Sequence, residues 1–168
     1  MNPLNWSYRQ LCFFGTFSCF GSLAYAMYVQ YHMLMMPCPL CIFQRVAFLA
    51  IGIVFLIAAL HNPVSKVVKW VYSSFAMFSA IVGLLIAGRH VAIQLAPAAQ
   101  NSFCNSLGLD YMLEAMPLTE VLVTVFKGSG ECAVIDWTFL GLSMPMWTTI
   151  LYLLLFSLAI FTATKKQS

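Results

Sequence analysis

The spacing of the charges constrains this chain more than any other feature. Between Arg9 and His32 lie 22 uncharged residues, and between Lys69 and Arg89 another 19. From Trp137 to Thr164 there are 28. A helix that crosses a bilayer needs about 20 mostly apolar residues, so each run is long enough to span. The gap from Val46 to Leu60 holds only 15. It spans if its helix begins near Cys41, with Arg45 about one turn inside. Helices are therefore expected at about 11–31, 42–60, 70–88 and 145–164, the last opened by Pro145, a natural first helical residue.

Composition agrees. The chain has 168 residues, 62% hydrophobic and 8% charged, whereas an average soluble domain is about 25% charged. Such a chain cannot cover its own surface with polar groups in water. Its net charge of +3 is too small and scattered for a nucleic-acid footprint. The expected fold is an all-α integral membrane protein, a four-helix transmembrane bundle in one membrane domain over 1–168. Arg9, an apolar run and Ala24-Tyr25-Ala26 imitate a signal peptide. The run continues past that point to Tyr31, so it reads as a span.

Orientation follows from the basic residues. Arg9, Lys66, Lys69, Lys165 and Lys166 fall on one side, and Arg45, Arg89 and Lys127 on the other. That bias puts both termini in the cytoplasm. Two loops then face outward, at about 32–41 and 89–144. The second holds all five acidic residues (Asp110, Glu114, Glu120, Glu131, Asp136) and is too long for a simple connector. Within it, residues 117–126 open with Pro117, carry Glu120 in the first turn and stop at Lys127-Gly128. This reads as a short surface helix, with a strand as the competitor because 121–126 is rich in β-branched residues.

On this topology the six cysteines form three pairs. Cys12 and Cys19 lie seven apart on one face of the first helix and read as small packing residues. Cys38 and Cys41 sit at the outer mouth of the second helix. Cys104 and Cys132 lie 28 positions apart in the long loop. Four of the six are thus on the side where disulfides persist.

Pro37-Cys38-Pro39-Leu40-Cys41-Ile42-Phe43-Gln44-Arg45 is the most informative segment. A Cys-x-x-Cys at a helix N-terminus is a redox dithiol geometry, and the helix dipole favours a thiolate at Cys41. Arg45, four residues on, lies on the same face. A buried arginine costs about 2.5–3.5 kcal/mol at the bilayer centre, which a thiolate or an anionic ligand would offset. The bland readings are half of a zinc site or a structural disulfide. Zinc needs a second close pair or a histidine cluster, and Cys104 and Cys132 are too far apart to provide one by spacing, although folding could still join them. Taken alone, Cys104 and Cys132 would read as a staple stabilising the loop by about 3.6 kcal/mol. Beside a second outer pair, thiol exchange becomes the better reading. His32 and His61 lie at helix ends. Arg89 and His90 are expected to end the third helix at the depth of Cys41, as an interface anchor within reach of a bound head group.

Together with Gly88-Arg89-His90, Gly128-Ser129-Gly130-Glu131-Cys132 and Trp137-Thr138-Phe139-Leu140-Gly141-Leu142-Ser143-Met144-Pro145-Met146-Trp147, this segment makes the chain resemble the DsbB family of bacterial disulfide bond formation proteins over nearly its whole length. Cys12 and Cys19 fall outside the family's pattern. The resemblance implies a membrane thiol:quinone oxidoreductase of the bacterial inner membrane, with its redox loops in the periplasm. Its partner would be a DsbA-like thioredoxin-fold protein, whose thiolate attacks a Cys104–Cys132 disulfide at Cys104. Electrons would pass to Cys38–Cys41, and Cys41 would meet a ubiquinone or menaquinone from the membrane pool. Arg45 would stabilise the charges that develop there. Arg89 and His90 would touch the quinone head group, and no resident metal is implied. A structural disulfide below about −300 mV could not reoxidise DsbA at about −120 mV, a gap of roughly 8 kcal/mol, so the quinone must drive the cycle or the pairs must be raised in potential. The rival readings are a quinone-linked reductase of the vitamin K epoxide reductase type, a membrane metal carrier using Cys and Met ligands, and a structural four-helix assembly factor with stapled loops.

Overall fold

A computed structural model of the chain describes residues 6–32, 37–95, 117, 132, 135 and 137–165. Four helices, α1 (Tyr8–His32), α2 (Pro39–His61), α3 (Lys66–Leu95) and α4 (Met144–Thr164), are each long and apolar enough to cross a membrane. Their start signals are local. Ser7 and Gln10 cap α1 reciprocally: the Ser7 N–H donates to Gln10 Oε1 (2.9 Å) and the Gln10 N–H to Ser7 Oγ (3.3 Å). Cys38 caps α2 with Pro39 in its first turn. The helix stops at Asn62, which takes a left-handed conformation (φ 42°) and donates its N–H to the Ala58 carbonyl. Pro63 follows.

The third helix is longer than its uncharged run. It covers 30 residues, about 45 Å at 1.5 Å per residue, against a hydrocarbon core of about 30 Å. Charge ends an uncharged run but does not break a helix's hydrogen-bond ladder, so α3 runs past Lys69 at one end and Arg89 at the other. His90 accordingly sits inside a helix, five residues before its end at Leu95.

Each helix packs against the next in sequence, so the bundle runs up and down and α4 returns against α3. One end gathers the C-terminus of α1, the start of α2, the end of α3 and the start of α4. At the opposite end Lys69 is buried, donating to the Lys165 carbonyl (3.4 Å) with its ammonium 4.9 Å from the Tyr8 ring centroid. The buried face of α3 includes Lys69, Ser73, Ala76, Ala80, Gly83, Ala87, His90 and Gln94, alternating steps of four and three. That heptad spacing is the seam of a left-handed helix pair, and its small residues let α4 approach closely. A Cβ on Gly83 would clash with the Tyr152 ring. Contact between α1 and α4 is slight by comparison. Outward-facing residues such as Phe14, Phe75, Phe78 and Leu85 are exposed, as a lipid-facing surface requires.

Ahead of α4 a two-stranded hairpin pairs β1 (Thr138–Phe139) with β2 (Leu142–Ser143). Its turn residues Leu140 and Gly141 both have positive φ (52° and 79°), the geometry of the tight turns that match strand twist. The short helix expected at 117–126 lies outside the described residues, apart from exposed Pro117. Cys12 and Cys19 are fully enclosed in the core, as packing residues should be.

Candidate active site

The site starts from how Pro37-Cys38-Pro39 enters α2. Cys38 is extended (φ −65°, ψ 158°), and its Sγ accepts the Cys41 N–H at 3.3 Å, satisfying one of the free donors of the first turn. This cap brings the two sulfurs to 2.8 Å. Cys38 is buried and Cys41 half-buried.

From α3, His90 turns its Nε2 toward Cys38 Sγ, at 3.8 Å. On the other side of the ring the Gln44 amide N–H donates to Nδ1 at 3.3 Å. Gln44 Oε1 faces the Thr148 hydroxyl, which stands 2.9 Å from both this oxygen and the Pro145 carbonyl. Tyr152 stacks on Phe48 (4.3 Å between centroids) and donates to the Gln44 carbonyl at 2.7 Å. Ser143 donates to Gln94 at 2.7 Å. Among the described residues no buried side-chain nitrogen or oxygen lacks a partner, which matters where no water can substitute. With Gln44 donating to Nδ1, the neutral ring carries its proton on Nε2, facing the sulfurs.

Cys132 is completely buried against this group. Its Sγ, Cys38 Sγ and a ring nitrogen of His90 all lie within 4.8 Å of one another. Folding therefore joins one cysteine of the long loop to the Cys-x-x-Cys, although 91 positions separate Cys41 from Cys132. Hydrogen bonding of the Cys38 thiol to Cys132, and then to Cys41, pushes its pKa well above the usual thiol range, with burial adding to the effect. Cys104 lies outside the described residues.

Arg45 reaches across to α1. Its guanidinium donates to Gln30 Oε1 and, at 3.3 Å, to the Ala26 carbonyl. Neutral oxygens thus already offset part of the burial cost that the sequence assigned to an anion. Arg89 is exposed and does not line the cavity beside His90. Gln44, Gln94, Ser143, Thr148 and Tyr152 were not singled out from sequence. Gln44 and Gln94 carried a usable signal, as amides inside apolar helices on the same faces as Cys41 and His90. Ser143 and Thr148 did not, because Ser and Thr abound in this chain.

Where α1 and α4 draw apart, a cavity of about 730 Å³ opens. Cys41, Gln44, Arg45 and His90 line it, Phe48 and Leu151 form apolar wall, and Trp137, Phe139 and Trp147 are also part of the lining. Trp147 Nε1 donates to the Phe139 carbonyl (3.0 Å), pinning the hairpin over α4. An apolar cleft of this size with a few convergent donors suits a flat, largely hydrophobic ligand with polar oxygens. A quinone ring fits that description.

Comparison with known proteins agrees with this geometry. The model of the family described as "Disulfide bond formation protein DsbB" matches residues 8–162. The chain belongs to the DsbB family. Relatives named disulfide bond formation protein B include one from Xanthomonas axonopodis pv. citri (strain 306), 45% identical over 165 residues, covering 98% of this chain and 95% of the relative. Others come from Xanthomonas oryzae pv. oryzae (strain MAFF 311018), 47% identical over 150 residues (89% and 87% covered), and Xylella fastidiosa (strain Temecula1 / ATCC 700964), 45% over 167 (99% and 96%). Membership of the DsbB family and four membrane-capable helices make this a multi-pass inner-membrane protein of the disulfide-forming oxidoreductase class.

Proposed function

We propose that this DsbB-family protein reoxidises a periplasmic DsbA-like dithiol and passes the electrons to a membrane quinone, ubiquinone or menaquinone, as a single membrane domain with both termini in the cytoplasm. The observation that carries the reading is Cys132 packed against Cys38 at one end of an apolar cavity that Cys41, His90 and Arg45 also line. The clustering of Lys66, Lys69 and Lys165 at the opposite end supports the orientation.

The partner's thiolate attacks the Cys104–Cys132 disulfide at Cys104, and Cys132 leaves as a thiolate. The partner's second thiol displaces Cys104, so the partner departs oxidised and the loop pair is reduced. Cys132 then attacks Cys38 of the Cys38–Cys41 disulfide, releasing Cys41. Cys104 closes again on Cys132 and frees Cys38. A quinone, when bound, supplies the acceptor for two electrons and two protons. Those electrons and protons leave the Cys38–Cys41 dithiol as its disulfide re-forms. His90, with Nε2–H toward the sulfurs, donates to a sulfur that carries charge, and Gln44 keeps the ring in that tautomer. Arg45 holds positive charge against the cavity wall, where an oxyanion is stabilised most in a low dielectric. Phe48 and the aromatic residues by the hairpin exclude water from the exchange.

The test is quinone reduction by the purified protein in detergent with a reduced DsbA-like partner. Wild type is expected to turn over, and Cys41→Ser and Cys104→Ser each to stop. Normal turnover by Cys41→Ser would overturn the relay. Production of reduced partner from quinol would favour the reductase reading.

A further inference from the structure

Cys38, Cys132 and His90 come from three separate parts of the chain, yet their three donor atoms lie within 4.8 Å of one another and all three residues are buried. Cys41 Sγ stands 2.8 Å from Cys38 Sγ and borders the cavity. When the cysteines are reduced, this is a Cys3His donor set, the composition of many four-coordinate zinc sites. We propose that the reduced protein binds one Zn²⁺ at Cys38, Cys41, Cys132 and His90, and that the ion holds the enzyme inactive until it is removed. The inhibitory half of this proposal rests on the redox reading above; the binding half does not.

The geometry is close to what the ion needs. Zinc–sulfur bonds of about 2.3 Å and zinc–nitrogen bonds of about 2.0–2.1 Å at tetrahedral angles put sulfur about 3.6 Å from nitrogen and about 3.8 Å from sulfur. Cys38 Sγ and His90 Nε2 stand at 3.8 Å. The Cys38–Cys41 separation has to open by about 1 Å, and half-buried Cys41 has the cavity to move into. The ion reaches the group through the same cavity.

Binding through Nε2 requires the ring proton to move to Nδ1, where a metal-bound histidine needs an acceptor. Gln44 can provide one. If its amide turns over, Oε1 accepts from Nδ1 and the NH2 faces Thr148. Thr148 then accepts from Gln44 and donates to the Pro145 carbonyl, already 2.9 Å away. Every polar group stays satisfied in both arrangements. The same network can therefore serve a free histidine and a metal-bound one.

The experiment uses the full-length protein in detergent, fully reduced or fully oxidised, with Zn²⁺ affinity read by competition with a chromophoric chelator. Co²⁺ serves as a spectroscopic probe. Reduced wild type is expected to bind one ion per chain, to show thiolate-to-cobalt charge-transfer and tetrahedral d–d bands, and to release protons on binding. The oxidised protein, with its thiols consumed, is expected to bind none. His90→Gln and Cys132→Ser should each weaken binding about 100-fold, and Thr148→Val about 10-fold as an outer-shell partner. Cys12→Ser and Cys19→Ser should leave it unchanged. Equal affinity in His90→Gln, Cys132→Ser and wild type would overturn the proposed site, as would metal uptake by the oxidised protein. Turnover is then measured in chelator-treated buffer and after adding Zn²⁺. Full turnover with Zn²⁺ bound overturns the inhibition. If metal-free protein binds zinc but never turns over, the redox reading fails and the site stands.

Discussion

Helix α4 meets α3 and α1 in opposite ways. Against α3 it closes on a stripe of Ser73, Ala76, Ala80, Gly83 and Ala87, so tightly that Gly83 has no room for a Cβ beside Tyr152. Against α1 it stands off and leaves the 730 Å³ cavity. Gly21, on the cavity side of α1, has nothing within 4 Å of where its Cβ would be. Between helices in lipid, apolar surface alone gives little drive to associate, and side-chain size governs how close they come. One seam makes the bundle rigid, and the other leaves room for a ligand. Tyr152 links the two, since it packs on Gly83 and holds the Gln44 carbonyl at the cavity wall.

That contrast is open to direct attack. Gly83→Ala should show the largest effect on stability, a loss of about 1–3 kcal/mol from overpacking, seen as a lower unfolding midpoint in detergent. Because Tyr152 must move, quinone reduction should fall with it. An unchanged midpoint would mean the α3–α4 seam is looser than described. Arg45→Ala removes charge-assisted bonds worth about 1.5–3 kcal/mol, so kcat/KM for quinone should drop about 10- to 100-fold, with kcat/KM for the protein partner much less affected. Thr148→Val should cost about 1 kcal/mol, roughly a fivefold loss of turnover, by unfastening the Gln44 side chain from one of its two partners. Gly21→Ala fills open space and should leave stability within about 0.5 kcal/mol; a loss like that of Gly83→Ala would erase the distinction between the seams. Arg89→Ala, exposed and off the cavity wall, should change quinone kinetics less than about twofold. A larger loss would restore the role that its place beside His90 suggested.

Much of the architecture was legible without coordinates. Runs of apolar residues between charges located all four helices, because the cost of burying charge in lipid is paid residue by residue. The helix ends were less legible. Lys69 and Arg89 bound the uncharged run, while the backbone hydrogen bonding of α3 continues to Leu95. This is why His90, expected as an interface anchor, lies buried beside Cys38. The Cys-x-x-Cys announced itself through spacing and position. His90 was placed at the same depth, but its burial against Cys38 was not legible, because its position on a heptad stripe is one that ordinary alanines share.

Composition and charge spacing by themselves made this a membrane protein of four spans, and the motifs placed it beside the DsbB family. Both are properties of the chain in one dimension, set by the transfer cost of each residue and by local helix capping. The meeting of Cys38 with His90, 52 positions apart, and with Cys132, 94 apart, was decided only by the tertiary structure. So were the Thr148–Gln44–His90 chain and the cavity between α1 and α4. Those depend on how closely helix backbones approach, and that distance is governed by pairs such as Gly83 with Tyr152, whose partners lie far apart in sequence.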